Sequence, residues 1–440
     1  MPRSWLCESS LGLERSVSKA LLTVVRSLRF TDARPDDLCM IDGDEWRGLL
    51  PFTDRAQLTL PLGVRCRDYL PEWVLRRINR DLANNAVRQQ RIAETYQRIA
   101  VALTAQGIEF MVLKGFSHCP LYCADLAHRP QYDLDLYCPP DQIEKAYAAL
   151  MMLGYEPFGR TGRTVLDHLP PLILKTGWRP KDDYYDPDIP ITLEIHFRFW
   201  DAATERFDVS GAERFWDRRR IRSVGSFDYP TLHPSDAFSY AAWHLVRHLL
   251  RGDARAYHVY ELAQFLDSTV ADDMFWRDWR DERLSPMVET IACRLAVEWF
   301  GCRVNPVVRE FLNALPADVE KWFGLFGFSP LLALERPNKD ELFLHLCLAN
   351  GIEDRFQIIK RRMFPRRLNP YIADAHVPSP DLSLSLKRRF VSAAFLAKRA
   401  VHHARTLIPL AQSAIRWRRA LSSPPDPQSS RTLRAETARR

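Results

Sequence analysis

Residues 132–137 read YDLDLY, and this hexapeptide constrains the fold more than any other stretch of the 440-residue chain. Side chains alternate along a strand, so Asp133 and Asp135 share one face while Tyr132, Leu134 and Leu136 share the other. Two like charges on one face repel each other, so the acidic face needs cations and the second face needs apolar cover. Ile92, Tyr96, Ile99, Ala100 and Leu103 recur at helical spacing in a long amphipathic helix expected from Pro71 to about Ala105, which Gly107 closes.

After that helix, IEFMVLK reads as a strand stopping at Gly115, and LKGFS reads as the opening of a helix. A glycine at such a junction lets a phosphate approach backbone N–H groups at a helix N-terminus, with Lys114 adding a charge and Ser117 a hydroxyl. A further helix is expected between the Pro139–Pro140 pair and Gly154. The Pro-, Gly- and Asp-rich stretch from Tyr155 to about Pro190 reads as strands with a mobile loop. Then ITLEIHFRFW alternates cleanly: Ile191, Leu193, Ile195, Phe197 and Phe199 on one face, and Thr192, Glu194, His196 and Arg198 on the other. If this strand lies beside the Asp133/Asp135 strand, three carboxylates converge on one patch. Hard oxygen donors suit Mg²⁺, with Mn²⁺ as the alternative, and Mg²⁺ commonly combines one or two carboxylates with substrate phosphates. Two metals sharing the cluster would stabilise both ends of an in-line displacement.

The order VLKG, RPQYDLDLY, LGY and LEIHF resembles the uncharacterised nucleotidyltransferase family, a branch of the DNA polymerase β-like nucleotidyltransferase superfamily, over about residues 45 to 270. The resemblance implies that Asp133 and Asp135 ligate metal and that Glu194 is the third carboxylate, helping to deprotonate an acceptor hydroxyl. It implies that Gly115 and Ser117 serve the phosphates, and that Lys114 and Arg129 suit the triphosphate. Two departures stand out. Phe116 splits the usual Gly-Ser pair, and the gap from Ser117 to Asp133 is longer than the family pattern. Glu261 stands where an Asp is expected and is left out of the site.

The expected fold is α+β: a small mixed sheet flanked by helices, forming a nucleotidyltransferase core over 85–230. An N-terminal helical region (1–84) precedes it, and a helical domain (231–352), with Ser235 as its first N-cap, follows. A basic C-terminal region (353–440) carries an amphipathic helix over about 386–419 and then a disordered end. The expected reaction is Mg²⁺-dependent transfer of a nucleotidyl group from an NTP, ATP by default, to an acceptor hydroxyl of unknown identity, releasing pyrophosphate. Two alternatives stay open. One is a non-catalytic relative that binds nucleotide or a partner; the other binds nucleic acid or an anionic membrane through the tail.

Composition narrows the setting. The apolar runs are short and broken by charge, so no transmembrane segment is expected, and acidic residues occupy the N-terminus where an export signal would be apolar. Nine cysteines are too sparse for a disulfide scaffold, which points to a reducing, cytoplasmic compartment. From Lys387 onward roughly 13 Lys and Arg face two acids, about +11 of a chain total of +7, so residues 1–386 sit near −4. Zinc binding by His118, Cys119, Cys123 and His128 is disfavoured, because adjacent His118 and Cys119 converge poorly and the usual ligand order is absent. His244 and His248, four apart, read more readily as a polar helix face than as ligands.

Overall fold

The computed structural model describes residues 19–157, 167–179, 181–224, 227–333, 338–363 and 382–422. It is an α+β protein built on a seven-stranded mixed sheet. The strands are β1 (Met111–Val112), β2 (Asp133–Tyr137), β3 (Tyr155–Pro157), β4 (Leu172–Leu174), β5 (Thr192–His196), β6 (Arg220–Val224) and β7 (Phe227–Thr231), in the order β3-β4-β5-β2-β1-β7-β6. At the centre β2 and β5 run parallel, with Asp133 opposite Thr192 and Asp135 opposite Glu194. The remaining pairs are antiparallel except β1 with β7.

Alternation sorts the sheet's residues onto two cores. Leu134, Leu136, Leu193 and Ile195 pack with Ile92, Tyr96, Ile99 and Leu103 of the Glu72–Ala105 helix. Met111, Leu113 and Tyr137 belong to the opposite face, whose core continues into the helices after Pro234. That helical part is rich in buried tryptophan; the Glu289 carboxylate accepts from the indoles of both Trp243 and Trp279. The long helix ends as expected, with Gly107 at φ +65° and its N–H on the Thr104 carbonyl. It is continuous through residues 84 and 85, where the division between the N-terminal region and the core was expected.

Several local expectations need correction. Only Met111 and Val112 of IEFMVLK form a strand; Leu113 still donates to the Asp135 carbonyl in the same antiparallel register, and the chain then bends at Gly115. LKGFS opens a single 3₁₀ turn, Gly115–His118, rather than a helix. The first helix beyond the sheet, Pro234–Arg251, has His233 at its N-cap, and Ser235 lies inside the first turn. Strand β5 stops at His196, short of Phe199. The C-terminal helix is longer than expected, Leu382–Ser422. The expected mobile loop falls partly, and the disordered end almost entirely, outside the described residues.

Candidate active site

Because β2 and β5 are parallel and in register, Asp133, Asp135 and Glu194 reach the same side of the sheet. They meet a cavity of about 970 Å³ between the sheet and the helices after Pro234. Asp133 and Glu194 line it with side chains 39% and 25% exposed, whereas Asp135 lies beneath them at 1%. Buried charge must be matched, and two cations match it. Lys114 Nζ stands 3.3 Å from Asp135 Oδ2 and 3.9 Å from Asp133 Oδ2. His196 Nε2, one strand over, stands 3.3 Å from Asp135 Oδ1.

The protonation states follow from these neighbours. Burial alone would raise the Asp135 pKa, but Lys114 and His196 outweigh it and hold the carboxyl below its ordinary range. Burial would likewise lower His196, yet its hydrogen bond to Asp135 and the nearby Asp167 carboxylate lift it to about 9, so the ring is an imidazolium at neutral pH. Lys114 is raised by the same carboxylates against the effect of burial. Glu194 is pushed up, first by burial and then by repulsion from Asp135. Burial and the adjacent Lys114 charge hold His244 far below its ordinary value, so its Nε2, 3.1 Å from Lys114 Nζ, accepts from the ammonium.

Behind His196 the structure adds residues that strand alternation did not reveal. Asp167 Oδ2 lies 3.6 Å from His196 Nδ1 and forms a buried ion pair with Arg247 of the Pro234–Arg251 helix. A chain of alternating charge, Lys114–Asp135–His196–Asp167–Arg247, thus crosses from the sheet to the helices. Asp167 stands alone in its stretch and carries no readable signal. The helix did carry one: Tyr240, His244, Arg247, His248 and Arg251 mark one polar stripe on an otherwise apolar helix, and all five line the cavity.

The phosphate-side expectations meet a mixed outcome in placement. Lys114, Gly115 and Arg129 line the cavity; Ser117 is buried and is not among the lining residues. Gly115 sits at φ +81°, and a Cβ there would come within 2.3 Å of Gln131 Nε2, which donates to the Asp133 carbonyl. The turn therefore requires glycine to seat Gln131 under β2. Arg129 is matched by Glu261, with Nε 2.5 Å from Oε1, and His118 Nδ1 reaches the same oxygen at 3.0 Å. Burial would raise Glu261, but Arg129 and His118 bring it down to about 2. Glu261, set aside in the sequence, is thus the partner of a cavity arginine. The long helix holds this segment from the other side. Asn85 and Gln89 donate to the Arg129 carbonyl, and Arg88 donates to the carbonyls of Gln131 and Ile189.

The cavity is strongly polar, lined by arginines and lysines as well as by further carboxylates such as Asp54, Asp183 and Asp253. The family model described as uncharacterised nucleotidyltransferase matches residues 42–301. The chain belongs to the uncharacterised nucleotidyltransferase family. No curated protein and no solved structure matches it. The match runs from the helix that opens at Gly43 to the end of the Pro286–Phe300 helix, so both walls of the cavity lie within the nucleotidyltransferase region.

Enzymes of this class commonly work with divalent cations, and the residues present fit one. Asp135, Glu194 and His196 each bring a possible ligand atom within 4.8 Å of the others. Asp135 Oδ2 is buried and accepts no hydrogen bond. Two of the three groups are carboxylates, which favours a hard cation, and Asp133 lies outside this grouping. No metal-ligand grouping forms around His118, Cys119, Cys123 and His128 among the described residues.

Proposed function

We propose that the protein transfers a nucleotidyl group from an NTP to an acceptor hydroxyl, with Asp133, Asp135 and Glu194 holding divalent metal, Mg²⁺ or Mn²⁺. The observation that carries this reading is the parallel register of Asp135 with Glu194, opening on a cavity rich in basic side chains. When bound, the cation neutralises the carboxylates and polarises the phosphates.

The chain's own groups supply the rest. Lys114, with Arg129 further along the wall, offers positive charge to the triphosphate, and the Gly115 turn leaves room beside it. His196 orients the Asp135 carboxylate, and the Asp167–Arg247 pair holds His196 in place. The acceptor oxygen attacks the α-phosphorus, the bond between that phosphorus and the α–β bridging oxygen breaks, and pyrophosphate leaves. Glu194, partly exposed at the cavity floor, takes the hydroxyl proton. Catalysis of this kind is chiefly positioning and charge neutralisation. ATP is the default donor.

The test is metal-dependent pyrophosphate release from each of the four NTPs, with cell extract as the acceptor source, comparing wild type with Glu194→Gln. Release that needs both Mg²⁺ and Glu194 supports transfer and names the nucleotide. Tight Mg²⁺–NTP binding without release under any acceptor would replace it with a non-catalytic binding role. Absence of Mg²⁺–NTP binding would defeat the metal-site reading itself.

A further inference from the structure

The 41-residue helix Leu382–Ser422 contains nine Lys and Arg and no acidic residue. One side of it is anchored: Thr406, Ser413 and Trp417 are buried, and Trp417 packs against Phe326 and Phe343. The other side is apolar and open. Val401, Ile408 and Ile415 recur at every seventh residue with exposures of 48%, 69% and 54%, flanked by exposed Leu407 and Leu421. Exposed Ala404 and Ala411 fill the spaces between, so the residues form one continuous arc. Exposed Arg405 and Arg416 border it, with Arg418 near its end.

The neighbouring helix also exposes apolar and basic side chains, although it carries Glu353 and Asp354 in its first turn. Ile352–Met363 meets the C-terminal helix where Ile358 and Leu410 share a small core. Its exposed face carries Ile352, Phe356 and Ile359 at 88%, 56% and 41%, with Arg355 and Lys360 beside them. Water-exposed aliphatic and aromatic side chains on two adjacent helices mark an interaction surface.

Charge selects the occupant. A second copy of the C-terminal helix would bring nine cations against nine with no carboxylate to offset them. Nucleic acid would use the cations and leave the aliphatic arc in water. An anionic lipid surface satisfies both, since aliphatic side chains enter the headgroup–acyl boundary and the basic ones take the lipid charge. No helix among the described residues is long and apolar enough to cross a membrane, so the contact is an interfacial one. We propose that the exposed face of the Leu382–Ser422 helix, continued by Ile352–Met363, docks the protein on an anionic lipid surface. Nothing in the cavity enters this inference, so it stands or falls apart from the transfer reaction.

The experiment is flotation of the full-length chain with phosphatidylcholine vesicles, with and without phosphatidylglycerol. The chain should float with the anionic vesicles only and be released by raised salt. Ile408→Glu/Ile415→Glu should weaken binding at least about tenfold by charging the apolar arc, whereas Ile408→Leu retains it. Arg405→Gln/Arg418→Gln should weaken it about fivefold per charge removed. All these side chains are exposed, so unchanged thermal melting of each variant confirms that the fold is intact. No flotation with anionic vesicles, equal flotation with neutral ones, or indifference to the double glutamate change would each overturn the proposal. So would a dimer that the same change dissociates, or salt-dependent capture of an oligonucleotide that it leaves intact, when vesicles are not bound.

Discussion

The two walls of the cavity were built by different kinds of information. The sheet wall presents Asp133, Asp135 and Glu194, placed by the period-two alternation of two short strands. The helical wall presents Tyr240, His244, Arg247 and Glu261, on helices whose polar residues look like ordinary surface until they are docked. The first wall carries the carboxylate patch with its nearest cations, and the second adds a more distant one. Lys114 and His196 neutralise Asp135 directly, but His196 is steadied by Asp167, which is in turn neutralised by Arg247. A buried carboxylate on the sheet is thus linked to a cation three contacts away.

The strongest way to break the comparison is to remove the shared acid. Asp135→Asn is expected to lower pyrophosphate release by about 1000-fold, since it removes an anionic ligand from a preorganised charge site. Because Lys114 and His196 then lose their counter-charge, stability should also fall by about 3 kcal/mol in urea unfolding. Residual activity within tenfold of wild type would remove Asp135 from the chemistry.

Arg247→Met tests whether the helical wall supports the sheet wall from a distance. It leaves Asp167 buried without its cation, so a loss of about 3 kcal/mol is expected, with activity falling by about tenfold or more through misplacement of His196. The pair Asp167→Leu/Arg247→Met should recover much of the stability, since no lone buried charge remains, but not the activity. If stability and activity recover together, the two walls are coupled only through folding.

The pH dependence sharpens the same point more gently. His196 sits at about 9 in the fold against an ordinary 6.5, so its contribution is fully present below 6.5 and is lost as pH rises through about 9. A group displaced by this much contributes about 3 kcal/mol at its maximum. Urea midpoints of the wild type should therefore fall across that window, while His196→Gln should be lower at the acid end and flatter. A wild-type midpoint that stays level from pH 6.5 to 9 would show that His196 is not held as a cation.

The smallest effect is expected at Ser117→Ala. Its buried side chain is not among those lining the cavity, so pyrophosphate release should change by less than about twofold. A large drop would mean that the 3₁₀ turn rearranges to present its hydroxyl when nucleotide binds.

Much of the sheet wall was legible. A strand whose alternate residues are Leu134 and Leu136 against Asp133 and Asp135 can only bury one face, and ITLEIH obeys the same rule with Glu194 on its polar side. The period is local and needs no knowledge of the rest of the chain. The long helix was equally plain from its spacing, whereas its place over the apolar face came only from the structure. The role of Gly115 was half legible. Its positive φ requires a glycine, while the side chain that packs against it, Gln131, is one the sequence could not point to.

By itself, the sequence determined two short strands with one apolar and one acidic face each, a long amphipathic helix and a helical second part, because each follows from periodicity within a few residues. Only the tertiary structure decided that β2 and β5 are parallel and in register, that Asp167 and Arg247 stand behind His196, and that Glu261 answers Arg129. Those pairings join residues far apart in the chain. Their partners are selected by burial, since a charge inside the fold must meet an opposite one, and no local pattern says which.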